Sequence, residues 1–221
     1  SFSVTGDATG AAVGDMDNDG VDELLVVASN GLHAYSMDDG SPKWSYPVNF
    51  VRDIALAQLD ADPALEIVLA GVTPGLVLDG ATRATDWEHI DGFGTRVSTG
   101  SLETGGGVQW VGARAFTTFT VFRASPWAPI WSGGRPSSIE AIDTAHIDPM
   151  GLDAIVVGEG SRGGVLVYDG TSHAERLRIP NEGMGINDAV AVDFDGDGLD
   201  EIAFASESTF LDGPLITVAS S

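Results

Sequence analysis

Two nine-residue segments near opposite ends of the chain share one pattern: Asp15-Met16-Asp17-Asn18-Asp19-Gly20-Val21-Asp22-Glu23 and Asp193-Phe194-Asp195-Gly196-Asp197-Gly198-Leu199-Asp200-Glu201. Carboxylates stand at positions 1, 3, 5 and 9, and glycine stands at position 6. Such a loop can wrap a hard cation in oxygen. The three Asp side chains, the carbonyl at position 7 (Val21 or Leu199) and the Glu at position 9 (Glu23 or Glu201) would converge, with glycine allowing the sharp turn. An EF-hand loop opens the same way but needs a bidentate Glu at position 12, where this chain has Val26 and Phe204. Its flanking helices are missing too, because apolar strand-like runs, Leu24–Ala28 and Ile202–Ala205, follow each segment. A single segment of this kind would read as a solvated Asp/Gly turn. Two copies in register with an internal repeat favour a cation.

The repeat has five units, with position 1 at Asp15, Gln58, Ser101, His146 and Asp193, in steps of 43, 43, 45 and 47 residues. Upstream of each loop lies a short run of small and β-branched residues, starting near 11, 54, 97, 142 and 189. Downstream come a second strand, a Gly-containing turn, a third strand, and a fourth segment that carries Trp44, Trp87 and Trp131 in the first three units. In the fourth unit the count puts Arg176 at the tryptophan's place. Four short strands about every 45 residues is the spacing of a β-propeller blade, and no sustained 3.6-residue apolar period predicts a helix. The expected fold is all-β: one domain over 1–221, a five-bladed β-propeller of four-stranded antiparallel blades. The fifth unit lacks its fourth strand. Continuing its count past Ser221 wraps to Ser1 or Phe2, so residues 1–6, with Phe2–Thr5 as the strand, are expected to complete the last blade and remove its exposed edge.

The loops at Asp15–Glu23 and Asp193–Glu201, with their flanking strands, resemble FG-GAP/VCBS repeats, the units of integrin-α-type propellers. As a repeat pattern the resemblance covers essentially the whole chain; familiar members carry seven or eight blades. It implies Ca2+ in the loops, an extracellular, cell-surface or periplasmic setting, and a role in adhesion, in ligand binding or as a domain attached to an enzyme.

The other three loops depart from the pattern. Unit two keeps the oxygen donors Gln58, Asp60, Asp62 and Glu66 but has Pro63 at position 6, which cannot take positive φ, so it is expected to hold a cation weakly. Unit three (Ser101, Glu103, Gly105, Gln109) retains one carboxylate, and unit four (His146, Asp148, Met150, Ala154) offers a thioether to a hard cation; both are expected to be metal-free.

The chain carries 33 acidic against ten basic residues, a net charge of −23. That balance repels nucleic acid and anionic membranes, and ions in the loops would offset part of it. There is no cysteine for a disulfide, a thiolate site or a nucleophile. The longest apolar runs fall far short of the ~20 residues that span a bilayer. The start at Ser1-Phe2-Ser3 reads as a domain of a larger or processed chain, and the Cys-free, acidic, Gly-rich composition suits a secreted bacterial domain. Gly158-Glu159-Gly160-Ser161-Arg162-Gly163 spells G-x-G-x-x-G, but a strand follows it instead of the helix a dinucleotide needs, so it is expected to be a hairpin turn. The histidines are scattered and there is no G-x-S-x-G elbow.

Six residues before each position 1 stand Thr9, Arg52, Thr95, Glu140 and Asn187, with Arg96 adjoining. These are expected at one mouth of the central channel, where two of only ten basic residues would hold a polar or anionic ligand. Trp44, Trp87 and Trp131 are expected to pack between blades, and Trp127, off register, to be the exposed aromatic. The function expected is a Ca2+-binding extracellular ligand-binding or adhesion module, monomeric, taking a protein or carbohydrate at a channel mouth. The alternative is a carbohydrate-active domain, a lectin or a polysaccharide lyase-type propeller.

Overall fold

The computed structural model describes residues 7–104, 107–114, 117–124, 126–135, 137–160, 163–181, 185–206 and 215–219. Among these every regular element is a β-strand. Four sheets have four strands each: β1 (Ala8–Gly14), β2 (Glu23–Ala28), β3 (Gly31–Ser36) and β4 (Pro42–Tyr46); β5 (Asp53–Ala57), β6 (Glu66–Ala70), β7 (Gly75–Asp79) and β8 (Thr85–His89); β9 (Arg96–Gly100), β10 (Gln109–Arg114), β11 (Thr118–Arg123) and β12 (Ala128–Gly134); β13 (Ile139–Ala145), β14 (Ala154–Glu159), β15 (Val165–Tyr168) and β16 (Glu175–Ile179). A fifth sheet has β17 (Ile186–Val192), β18 (Glu201–Ser206) and β19 (Leu215–Ala219). Each sheet is a meander in sequence order, and the registered pairs are antiparallel. The proposed fourth strand of the last sheet, Phe2–Thr5, lies outside the described residues.

The first strands of three sheets begin earlier than their apolar runs suggest, because each crosses a bulge. The extra residues are Thr9, Glu140 and Asn187, between Ala8 and Gly10, Ile139 and Ala141, and Ile186 and Asp188. A bulge breaks the period-two alternation and re-aims the unpaired side chain. A second bulge recurs on the fourth strands, where Lys43, Asp86 and Arg176 are the extra residues. It corrects one register: Leu177, which pairs with Val167, is the counterpart of Trp44, which pairs with Ala34, and Arg176 stands where Lys43 does.

The chain divides into two compact units, residues 1–97 with 124–128, and residues 98–123 with 129–221. In the first, Met16, Leu25, Val27 and Leu32 pack with Ile67, Leu69 and Leu78 from the next sheet, and Trp44 and Tyr46 cover them. In the second, one cluster joins Val111 and Phe119 to Ile155, Val157 and Leu166, and another joins Val156 and Val167 to Ile202 and Phe204. Second strands such as β6 and β14 are buried along their whole length, as a strand covered on both faces must be. Outer β16, Glu-Arg-Leu-Arg-Ile, is almost wholly exposed. Trp131 packs edge-on to Phe119 at 5.2 Å and lies 6.0 Å from Tyr168 of the neighbouring sheet, as expected for blade packing. Trp127 departs from expectation: it is half-buried, stacked on Trp87 at 5.8 Å and 12°, because two indoles cover one another's apolar faces. Gly158–Gly163 is a hairpin turn at its described ends: β14 and β15 pair through Gly158 and Val165, and the Gly163 N–H donates to the Gly160 carbonyl.

Candidate cation-binding loops

In the first loop the position-1 carboxylate shapes the backbone. Asp15 Oδ1 accepts from the Asp19 N–H and Oδ2 from the Gly20 N–H, both at 2.9 Å. Asp193 plays the same part in the last loop, its Oδ2 accepting from Gly198 at position 6 (2.9 Å) but its Oδ1 from Gly196, one position earlier than Asp19 (2.6 Å). The contact at position 7 repeats: the Val21 N–H donates to Asp19 Oδ1 (2.9 Å) and the Leu199 N–H to Asp197 Oδ1 (2.8 Å). Gly20 and Gly198 take φ of 90° and 92°, as position 6 requires, and position 4 is also left-handed, at Asn18 and Gly196. The result gathers one oxygen from each of Asp15, Asp17 and Asp19, all within 4.8 Å, and likewise from Asp193, Asp195 and Asp197. An all-oxygen triad of this size suits a hard cation.

Position 9 has a second duty that the spacing did not reveal. Glu23 is fully buried, and its Oε2 accepts from the Met16 N–H at 3.1 Å; Glu201 Oε2 accepts from Phe194 at 2.9 Å. Glu66 braces Leu59 in the same way, and in unit three Gln109 Oε1 accepts from Leu102 at 2.9 Å. One oxygen of each glutamate thus closes the loop on itself.

The largest surprise in the first loop is Lys43. Its ammonium lies 2.7 Å from Asp19 Oδ2, 2.7 Å from Glu23 Oε1 and 3.1 Å from Asp17 Oδ2. Burial opposes that charge, but hydrogen bonds to Asp19, Glu23 and Asp17 outweigh it and raise the Lys43 pKa above its ordinary value. The same contact, followed by the Val21 N–H, lowers the pKa of Asp19. Three of the loop's carboxylates, those of Asp17, Asp19 and Glu23, are therefore tied by an internal cation, delivered by the fourth-strand bulge. Arg176, at the equivalent bulge, lies 3.8 Å from Asp148 of loop four.

Loop two differs in backbone and in charge. Neither Ala61 nor Pro63 takes positive φ, and the turn is a ladder of Asp62 N–H to Asp60 Oδ1 and Ala64 N–H to Asp62 Oδ1, each 2.8 Å. Gln58, expected to be an oxygen donor, is tied into this turn: its Nε2 donates to the Asp62 carbonyl and its Oε1 accepts from Asp60. Glu66 joins two triads, one with Asp60 and Asp62, the other with Asp79 and Asp86. Burial, with the charges of Asp60 and Asp62, pushes Glu66 up to about 7 against the Leu59 hydrogen bond. Asp86 is also raised, by burial and then by Asp79, Asp60 and Asp62. Burial would raise Asp79 as well, yet hydrogen bonds from Thr82 hold it low. A cavity of about 240 Å³ adjoins these groups, lined by Leu59, Asp60, Asp86, Ala124, Pro126 and Trp127.

Loops three and four put their polar groups to structural use. Glu103 pairs with Arg123 at 3.2 Å, and His146 Nδ1 lies 3.0 Å from Asp153. Position 8 clasps the preceding loop: Asp153 Oδ2 accepts from Ser101 (2.7 Å), and Asp200 Oδ2 accepts from His146 (2.6 Å). Of the residues expected at a channel mouth, Thr9, Arg52 and Arg96 belong to the first unit, Glu140 and Asn187 to the second. Thr9 Oγ1 donates to the Val51 carbonyl and Arg96 to the Thr95 carbonyl, while Arg52, Glu140 and Asn187 are exposed. No helix of the described residues is long and apolar enough to cross a membrane.

No family model matches the sequence, and no curated sequence is similar to it. Solved structures are similar in fold. BBS1N, in its complex with ARL6DN, superposes with a TM-score of 0.61 at 11% identity, covering 89% of this chain and 74% of that one. The V. cholerae biofilm matrix protein Bap1 gives 0.64 at 18% identity, covering 95% of this chain and 37% of that one. The Pan2 WD40 domain of Neurospora crassa gives 0.66 at 11% identity, with 96% and 61% covered. The chain thus spans less than two thirds of the Bap1 and Pan2 chains. At these identities the likeness shows the fold alone: this is a β-propeller-like chain of four-stranded antiparallel sheets.

Proposed function

We propose that this chain is a calcium-binding propeller module of the FG-GAP/VCBS kind, serving outside the cytoplasm as a ligand-binding or adhesion domain of a larger protein. In this reading it is one five-bladed ring over residues 1–221, with residues 1–6 completing the last blade. The observation that carries it is the agreement of loops one and five. The same three aspartates, on the same left-handed turn, bring oxygens within 4.8 Å in two places. Calcium accepts six to eight oxygens, so carbonyls such as those of Val21 and Leu199, the remaining glutamate oxygen and water would complete each shell. In the same reading an anionic ligand goes to Arg52 and Arg96. A protein ligand is in keeping with the BBS1N neighbour, whose structure includes a partner. Calcium titration followed by calorimetry and thermal melting tests the reading: two loop sites should appear, with affinities in the micromolar to millimolar range of extracellular modules. A melting curve indifferent to chelator, with no ion bound by either loop, defeats it.

One observation favours a second reading, a lectin or polysaccharide lyase-type domain. The cavity beside Trp127 sets stacked indoles next to Asp60 and Asp86, and indole faces with carboxylates are the groups that grip sugars. A glycan array and a polysaccharide-cleavage assay, each with and without calcium, separate the two.

A further inference from the structure

We propose that the sheet β5–β8 holds a divalent-cation site of its own, closed by Glu66, Asp79 and Asp86 with an oxygen of Asp60 or Asp62, at the place where the first sheet uses Lys43. The site is independent of loops one and five and stands whether or not they bind.

The two sheets align residue for residue. Glu23 faces Ser36 across the β2–β3 ladder, and Glu66 faces Asp79 across β6–β7. The bulged residue of the fourth strand is Lys43 in one and Asp86 in the other. Three positions that read Glu, Ser, Lys in the first sheet therefore read Glu, Asp, Asp in the second. Where the bulged residue is basic it reaches the loop's own aspartates, as Lys43 does to Asp17 and Asp19 and Arg176 does to Asp148. In the second sheet it brings a further carboxylate to the same spot, and the oxygens of Glu66, Asp79 and Asp86 lie within 4.8 Å.

Like charges directly opposite on a ladder repel, and a buried carboxylate oxygen without a partner is costly. Glu66 is 0% exposed; its Oε2 accepts from Leu59, and its Oε1 has no hydrogen-bond partner among the described residues. Asp79 is buried beside it, with Oδ1 held by Thr82. A divalent ion answers both problems together. Only oxygens are offered and two acids are buried, while Asp60, Asp62 and Asp86 form an exposed rim through which an ion enters. That donor set selects a hard cation of the calcium class over zinc or copper.

The test uses the full chain carrying Asp17→Ala and Asp195→Ala, which disables loops one and five. Calcium is titrated calorimetrically, and terbium is followed by luminescence excited through the indoles of Trp87 and Trp127. One calcium should remain in this background. Asp79→Asn and Glu66→Gln should each weaken it by more than the about 10–100-fold that an outer-shell partner is worth. Asp86→Lys should abolish it and raise the melting temperature in chelator, because the exposed position then supplies the ammonium found in the first sheet. Trp127→Phe should dim the terbium signal while leaving calcium affinity unchanged. Failure of the loop reading is recognisable separately, as equal stoichiometry in the wild type and the double variant. A folded double variant that binds no calcium, or whose residual site ignores Asp86→Lys and Asp79→Asn, overturns the proposal.

Discussion

Replacing Lys43 by methionine keeps the bulk of the side chain and removes its charge. The Lys43 side chain is 23% exposed, and its ammonium reaches Glu23, which is fully buried, at 2.7 Å. Truncating one partner of a buried, hydrogen-bonded charge pair costs about 2–5 kcal/mol, much of it from the charge left behind. Asp19 is 48% exposed, so its contact adds only the about 0.2–1 kcal/mol of a surface pair. The Met16 N–H still braces Glu23, which places the sum near the lower part of that range, at about 3 kcal/mol. At about 2–4 °C per kcal/mol for a chain of this size, Lys43→Met should lower the melting temperature in chelator by about 6–12 °C. Calcium should reverse the loss. The methionine no longer competes for the aspartate oxygens, so the affinity of loop one should rise by more than about tenfold, a change of about 1.4 kcal/mol. Calcium at about 100 times its Kd then contributes about 2.7 kcal/mol. Differential scanning calorimetry in chelator and in excess calcium measures both effects. A fall below about 2 °C in chelator, or a calcium response equal to that of the wild type, would refute the idea that Lys43 serves as the loop's own cation.

Asp17→Ala and Asp195→Ala should each remove one calcium from a calorimetric titration; two unchanged stoichiometries would sink the loop assignment. Arg52→Ala with Arg96→Ala should abolish binding of an anionic ligand while melting and calcium response persist, and a ligand located on the outer strands would contradict that placement. If residues 1–6 complete the last blade as proposed, deleting residues 1–5 should cost about 3 kcal/mol and leave a sheet edge that pairs with other molecules. A truncated chain that elutes as a monomer with unchanged melting refutes the five-blade count. Burial raises the pKa of Asp143, despite its bonds from Ser98, Ala191 and Thr144. Its folded value thus exceeds its unfolded one, so its contribution is present at low pH and is lost as pH climbs from about 3.8. Denaturant unfolding from pH 4 to 7 should therefore show a smaller alkaline loss for Asp143→Asn than for the wild type; a larger one reverses the sign and defeats the assignment.

Strands were legible because short apolar runs and a repeat near 45 residues are local signals. Glu23–Ala28 takes in the apolar run Leu24–Ala28, and Gly31–Ser36 is the third strand that the repeat predicts. Bulges were not legible. Thr9, Glu140 and Asn187 look like ordinary polar entries to a strand, and the extra residue shows only when the partner strand is counted beside it. The same blind spot hid Lys43 and Asp86. Both sit beside a tryptophan on a fourth strand, 28 residues after position 1, and only a bulge turns them toward the loop. Asp79 escaped for a different reason: it closes a turn with Thr82 and reads in sequence as nothing more than that turn. Gln58 was given a ligand's role by its position, whereas its amide is consumed by the turn that Pro63 forces.

Position 9 separates what the loop needs to fold from what it needs to hold an ion. Gln109 keeps the brace to Leu102 in a loop with Gly105 at position 5 and a single carboxylate. A neutral amide can do so because the contact requires an acceptor and no charge. The brace is therefore architecture, and a glutamate at position 9 is weak grounds for assigning a cation. Positions 3 and 5 behave otherwise. Asp195 Oδ1 accepts from Asp197 and Asp197 Oδ1 accepts from Leu199, which leaves each aspartate a second oxygen that no turn requires. In loop one the second oxygens of Asp17 and Asp19 both lie against the Lys43 ammonium. Whatever fills the cage, an ion or a side chain, is chosen by those second oxygens and by the residue at the fourth-strand bulge: lysine in the first sheet, aspartate in the second, arginine in the fourth. Exchanging that one residue between sheets should exchange their cation behaviour while the loops' backbones, held by position 1 and the brace, stay as they are.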